Sequence, residues 1–385
     1  MNILFVIECN LGTVSYGDEQ RTQLLYEALS AKGTVYVLQW GPREERIGDR
    51  HWLISPRRPR GFRRLVNGLW LFFVQRVCPK GQARYYPFPL LPEIDHYFPA
   101  VRFDAVVVRH IDFANKMHLW NIAPLFVDVD DHPLEVFKTR FLPAVPRWRR
   151  AGALVMQKFF IWAGLRHARG MWVANPAQVP LAPRRIRVAV LPNIPFSLPE
   201  APNGASRKAY VFTVGHMAYM PNYEGVDRFL KSVWPRVHEA FPSLEYVVVG
   251  KGIPEDHARV WAAIPGVVLR GFVPDLSDLY AHALATVVPI DVGSGTCIKV
   301  LESLAYSRLC LSTEFGARGI PSDDLASDKC GVFIYRDASE FLCLIDRVVK
   351  DAAWRENHEQ LAREYVASQY TREHFDEQVR AVLFP

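Results

Sequence analysis

The chain of 385 residues is 50% hydrophobic and 22% charged, with a formal net charge of +6, which describes a globular protein with ample core material and, at that length, two domains. No apolar span of 18 residues occurs, and the start shows no basic region followed by a leader-type apolar core, so a cytoplasmic protein without a transmembrane helix is expected. The six cysteines (Cys9, Cys78, Cys297, Cys310, Cys330, Cys343) form no CxxC pair, which argues for reduced thiols and against a structural zinc site, while the positive balance favours an anionic partner.

Residues 2–7 read as a first buried strand and residues 18–31 as the first helix, with Leu24, Leu25, Ala28 and Leu29 on one face. The loop between them carries Gly12 and Gly17, but not at G-x-G-x-x-G spacing, so a dinucleotide fingerprint is not read there; a plain tight turn serves as well. Residues 34–39 follow as a second strand. Next, Arg57, Arg58, Arg60, Arg63 and Arg64 precede LVNGLWLFFVQRV, and Lys80 and Arg84 follow it. Six consecutive apolar residues cannot span a bilayer. A basic, aromatic-rich helix over the 57–84 segment has two readings: an interfacial helix on an anionic membrane surface, or a core helix with solvated arginines at its start.

Residues 104–109 and 125–129 read as further strands. The second runs into VDVDDHPLE, where Asp128, Asp130, Asp131 and His132 cluster at a strand's carboxyl end, the usual place for sites in open α/β sheets. Asp131 and His132 side by side suit acid or base chemistry or hydrogen bonds to sugar hydroxyls; alternatively Asp131 caps a helix that has Pro133 in its first turn. The carboxylates also suit Mg²⁺, a weaker reading. Residues 147–168 form a second basic amphipathic helix, expected to pack against the sheet rather than meet a membrane. Residues 171–174 and 186–191 read as the last strands of the first half, and residues 196–208, rich in Pro, Ser, Gly and Ala, as a linker.

In the second half, residues 211–215, 246–250, 267–271, 283–290, 309–312 and 331–335 read as strands, with helices at 337–350, about 354–366 and 371–383. After residue 290, Gly293-Ser294-Gly295 breaks the strand and Thr296 opens a helix whose Ile298, Leu301, Leu304 and Ala305 share one side. A glycine loop leading into a helix N-terminus at a sheet's carboxyl edge favours an anion such as a diphosphate. Lys299 and Glu302, three apart, are neighbours on that helix, where lysine suits phosphate and glutamate suits ribose hydroxyls. The spacing alone fits an ordinary β-loop-α unit with a surface ion pair just as well.

The run GSGTCIKVLES followed by STEFGARGI resembles the donor-nucleotide motif of the GT4-type glycosyltransferases. VFTVGHMAYMPN, LEYVVVGKG and VLRGFVPD resemble three further segments of that family in the same order, covering most of residues 209–320. Pro192-Asn193-Ile194-Pro195 is similar to its P-N-G hinge element. The resemblance implies an α/β protein of GT-B fold, two Rossmann-like domains facing across an interdomain cleft. Their expected limits are 1–195 for an acceptor-binding domain, 196–208 for the linker, 209–366 for a nucleotide-sugar-binding domain and 367–385 for a helix returning to the first.

It further implies transfer from a nucleotide-diphosphate sugar to a glycan or lipid-linked glycan, with retention, in cell-surface polysaccharide assembly. No metal or other cofactor and no nucleic acid are expected, and the location would be cytoplasmic or peripheral at the inner face of a membrane. By resemblance Gly12 approaches donor or acceptor, Gly215 and His216 lie near donor phosphate or sugar, and Phe272 and Val273 hold the nucleobase. Gly295, Thr296 and Lys299 meet the phosphates, Lys299 as a catalytic cation, Glu302 anchors ribose, and Asp131 and His132 serve sugar or acceptor. Three positions depart from the family pattern: His216 and the following stretch stand where Arg and Lys are common, Ser294 where Glu is, and Cys297 where arginine is frequent. Two alternatives stay open, a nucleotide-sugar 2-epimerase and a non-catalytic carbohydrate-binding partner of a glycan-assembly complex.

Overall fold

The computed structural model describes residues 1–12, 17–57, 59–79, 84–91, 94–195, 198–199, 206–292 and 296–384. The chain divides into two compact units, one built from Met1–Pro192 and Phe375–Pro385, the other from Asn193–Val292 and Thr296–His374.

The first unit contains eight strands: β1 (Asn2–Ile7), β2 (Thr34–Trp40), β3 (Glu45–Gly48), β4 (His51–Ile54), β5 (Ala105–Arg109), β6 (Leu125–Val129), β7 (Ala168–Val173) and β8 (Arg187–Val190). They form one sheet in the order β3-β4-β2-β1-β5-β6-β7-β8. Every pairing is parallel except β3 with β4. Parallel strands are covered on both faces, so they read as unbroken apolar runs: Ile3 to Ile7 and all of β5 and β6 are buried. The β3–β4 hairpin escapes that signal. It is short, largely exposed at β3 and rich in charge, and it closes the sheet's edge.

The helix Gly17–Ser30 buries Leu24, Leu25, Ala28 and Leu29, the face expected. Helices Gly61–Val77 and Arg147–Leu165 pack on each other around Val74, Cys78, Ala153 and Phe160. The last helix, Arg372–Leu383, buries Phe375, Val379 and Val382, and Gln378 O accepts from Trp172 Nε1 at 3.0 Å. Gly170 in β7 admits it, because a Cβ there would collide with Val382.

The second unit holds β9 (Tyr210–Val214), β10 (Glu245–Val249), β11 (Val267–Gly271), β12 (Ala285–Val288), β13 (Cys310–Ser312) and β14 (Val332–Ile334). All are parallel, in the order β11-β10-β9-β12-β13-β14. Numbered within this sheet, the order is 3-2-1-4-5-6, the doubly wound Rossmann arrangement. Its connections reverse direction between β9 and β12. The first sheet reverses in the same way between β1 and β5. A crevice opens at the carboxyl ends of the strands where such a sheet reverses.

Candidate functional site

The loops after β9, β10 and β11 interlock through glycine. Gly215 N donates to Val249 O at 3.0 Å and Gly250 N to Gly271 O at 2.7 Å. Gly250 has φ +142°, and a Cβ there would overlap Gly215 O, so the two backbones touch directly. The helix Ile298–Ala305 begins beside this floor. Lys299 Nζ donates to Asn222 Oδ1 at 2.8 Å. A Cβ on Gly215 would sit 3.0 Å from that nitrogen, so the ammonium stands over bare Gly215 backbone. Asn222 Nδ2 in turn donates to His216 O at 2.9 Å. Gly215, His216, Asn222 and Lys299 therefore form one cluster at the switch point of the second sheet.

Burial pushes the Lys299 pKa down, opposed by the Cys297 thiol and the Glu302 carboxylate. The same burial pushes Cys297 up, with Lys299 and Arg318 pulling the other way. Desolvation first, and the Glu302 charge second, push the buried Tyr280 phenol up, and Tyr280 stacks on Tyr306 with centroids 4.2 Å apart. The helix thus carries Lys299 and Glu302 within electrostatic reach of each other.

Thr296 does not open the helix as expected. Cys297 occupies the cap position with no side-chain cap, and Thr296 is a buried residue just before it. Thr296 O accepts from Asn193 Nδ2 at 3.0 Å, and Gly319, at φ +98°, packs on the threonine so closely that a Cβ would lie 2.5 Å from its Oγ1. The P-N and G-A-R-G segments therefore brace the helix start from two sides. Gly295 lies outside the described residues. Phe272 is 59% exposed beside the Gly250–Gly271 contact, with Lys251 Nζ 5.7 Å from its ring centroid, while Val273 packs on the apolar cluster around Tyr280. Sequence reasoning missed Asn222 and Asn193 as site residues, although both stood inside the quoted PN segments.

A hollow of about 920 Å³ opens along the same sheet edge, past β12 to β14, lined in part by Arg228, Arg236, Arg318 and Arg336. Arg228 is paired with Asp291 and Arg336 with Glu340; Thr313, Glu314, Phe315 and Arg318 of the STEFGARGI run line this hollow, whereas Gly215, His216, Phe272, Val273, Thr296, Lys299 and Glu302 do not. The candidate site stands instead where glycine backbone, ammonium and helix N-terminus meet.

In the first unit, the switch point between β1 and β5 is filled by a buried charge network. Arg21 pairs with Asp128 at 2.6 Å. Arg109 contacts Asp18 at 2.6 Å, Asp128 at 3.2 Å and Asp130 at 3.2 Å, and donates to Thr22 Oγ1 at 2.6 Å. Asp128 is desolvated, but the two guanidiniums outweigh that and hold its carboxyl below the usual range. These carboxylates carry their counter-charge in arginine, which removes the reason to assign Mg²⁺ to Asp128 and Asp130. Burial pushes Cys9, next to Thr22, up to about 12, which makes it an inert thiol.

Asp131 is half-buried and does not cap the following helix. His132 occupies that position, makes no side-chain cap, and precedes Pro133 at the first helical position as expected. His132 is 1% exposed, and burial lowers its pKa to about 4. Its imidazole is neutral near pH 7, so a proton-donating imidazolium is not available there. Gly12, at φ +82°, is exposed and donates its N–H to Gln23 Oε1 at 3.1 Å. The structure therefore gathers Gly215, His216, Lys299, Thr296 and Glu302 on one sheet edge of the second unit, while Gly12, Asp131 and His132 belong to the first.

Two units with this strand order define a GT-B fold, the one expected from the ordered motifs. Residues 208–351 match the family model "Glycosyl transferases group 1", a span that includes Gly215, His216, Asn222, Thr296, Lys299 and Glu302 but not Gly12, Asp131, His132 or Asn193. No curated protein sequence matches the chain. Among solved structures, a mutant TarM from Staphylococcus aureus in complex with fondaparinux, α-GlcNAc-glycerol and UDP is 10% identical, with all of each chain covered and a TM-score of 0.67. A sucrose-phosphate synthase from Thermosynechococcus elongatus is 13% identical over 100% of this chain and 98% of its own, TM-score 0.66. A further TarM crystal structure is 14% identical over 73% of this chain but only 55% of its own, TM-score 0.59.

Proposed function

We propose that the protein is a glycosyltransferase of the GT4 type that takes a nucleotide-diphosphate sugar on its second unit and transfers the sugar with retention to a glycan or lipid-linked glycan. The observation that carries this reading is the placement of Lys299 Nζ over the bare backbone of Gly215, at the start of an eight-residue helix. A diphosphate there meets an ammonium, helix N–H groups and no intervening side chain. Glu302, one turn further on, is offered to ribose hydroxyls, and exposed Phe272 is offered to the base. Lys299 and the helix dipole supply stabilisation of the leaving diphosphate where other members of the family use an Arg–Lys pair. Asp131 and a neutral His132 suit hydrogen bonding to sugar or acceptor hydroxyls. The TarM complex with UDP and the family match over 208–351 support the donor class.

Thermal unfolding against UDP, GDP, CDP, TDP and ADP tests this. A nucleotide at about a hundred times its dissociation constant adds roughly 2.7 kcal/mol to the folded state, enough for a shift of several degrees. One nucleotide is expected to shift the wild type and to shift Glu302→Ala less. No shift with any of the five ends the donor-site assignment.

A further inference from the structure

Half of the large apolar side chains exposed among the described residues fall on two helices of the first unit, Gly61–Val77 and Arg147–Leu165. They are not scattered. Phe62, Leu65, Leu69 and Phe72 recur at helical spacing and are 73%, 59%, 60% and 58% exposed. On the second helix Trp148, Val155, Phe159 and Trp162 do the same, with Trp148 83% exposed. Each helix buries its opposite face, through Asn67 and Val74 on the first and Ala153, Gln157 and Phe160 on the second. The expectation that residues 147–168 simply pack against the sheet therefore holds for one face only.

The two stripes are continuous. Ring contacts run from Phe73 to Trp70 at 6.5 Å, from Trp70 to Phe159 at 6.2 Å and from Phe159 to Trp162 at 6.1 Å. Guanidiniums accompany the exposed rings: Arg76 lies 4.1 Å from the Phe72 centroid, Arg166 4.8 Å from Trp162 and Arg149 5.5 Å from Trp148. Aromatic rings set beside guanidiniums suit the boundary where lipid phosphates overlie acyl chains.

Charge decides what covers the surface. Residues 50–92 and 136–199, the segments that contain both helices, hold twenty Lys and Arg and no Asp or Glu, so the other 26 cations share the rest of the chain with all 40 acids. A second copy of this face would bring like charge against like charge across the contact. An anionic bilayer complements it, and a polybasic apolar face binds such a surface without spanning it. No described helix is long and apolar enough to cross a membrane.

We propose that helices Gly61–Val77 and Arg147–Leu165 together form a docking platform for an anionic lipid bilayer, with Phe62, Leu65, Leu69, Phe72 and Trp148 entering the headgroup region and the flanking arginines binding lipid phosphates. The proposal stands apart from the donor site, which belongs to the other unit. Flotation of the full chain with phosphatidylcholine vesicles, with and without about one phosphatidylglycerol in three, tests it. Recovery with anionic vesicles is expected to exceed that with neutral ones at least about tenfold at low salt, and to fall as salt screens the arginines. The double variant Phe72→Ser/Trp148→Ser, with unchanged circular dichroism, should lose at least about tenfold in vesicle affinity. Arg64→Gln/Arg147→Gln should lose the preference for anionic lipid, and both variants should keep the wild-type thermal shift with nucleotide. Equal recovery on both vesicle types, wild-type binding by the Phe72→Ser/Trp148→Ser variant, or a dimer in light scattering that this variant dissolves would each overturn the proposal.

Discussion

Replacing Lys299 with methionine keeps the apolar stem that packs beside Gly215 and removes only the ammonium. In the free protein the change is mild. Lys299 Nζ gives up its bond to Asn222 Oδ1 at 2.8 Å, and Asn222 keeps its own bond to His216 O. Burial already disfavours the charge, as the lowered Lys299 pKa records. Stability should therefore move by about 1 kcal/mol or less in either direction, because a lost hydrogen bond and a relieved desolvation oppose each other. With nucleotide diphosphate the loss is larger. One charge-assisted contact to phosphate in a half-buried setting is worth about 1.5–3 kcal/mol, or about a 10- to 150-fold weaker dissociation constant. Isothermal titration of both proteins with the nucleotide found by thermal shift, near pH 7.5, measures it. Because the lysine pKa is lowered, binding should weaken as pH rises through that value, and Lys299→Met should abolish this limb. An affinity within about twofold of wild type would refute the placement of diphosphate at Lys299.

Three further outcomes follow from the same geometry. Asp128→Asn leaves two buried guanidiniums with less counter-charge, so urea unfolding should show a loss of about 3–5 kcal/mol, and a loss under about 1 kcal/mol would mean that the Arg21–Asp128–Arg109 network is slack. Acid should destabilise the wild type in two successive stages. Neutral His132 resists protonation, so stability falls as pH drops from its unfolded pKa of about 6.5 towards the folded value of about 4; the contribution of Asp128, whose folded pKa is depressed, is then lost below its unfolded value of about 3.9. Urea midpoints measured from pH 7 to about pH 2.5 cover both stages, and a shallower slope between pH 7 and pH 4 in His132→Gln than in the wild type is the expected signature. Gly250→Ala must open the Gly215–Gly250 contact at a positive φ, and should cost about 2–4 kcal/mol and weaken nucleotide binding together; a well-folded variant with normal affinity would show that the glycine floor is dispensable.

The two sheets were legible because parallel strands are buried on both faces. The apolar runs of β1, β5, β6, β9, β10 and β12 needed no partner to be recognised, and their ends were set within one or two residues of those observed. Where burial is one-sided or partial the signal fails, as at the β3–β4 hairpin with its arginine and glutamate. Helix Arg147–Leu165 shows the limit in another form: its period marks an apolar face but not which apolar residues meet protein and which meet solvent.

The sequence by itself determined the strand order's raw material, the glycine-bearing strand ends, and the Lys299–Glu302 spacing, because these are local properties of a short stretch. Only the tertiary structure decided what those residues meet. Lys299 reaches Asn222 across 77 positions, Asn193 reaches Thr296 across 103, and Arg21 reaches Asp128 across 107. No period or motif encodes such pairings. They arise because parallel crossovers bring the carboxyl ends of distant strands to one edge, where burial removes water as an alternative partner and leaves each polar group to the nearest complementary one.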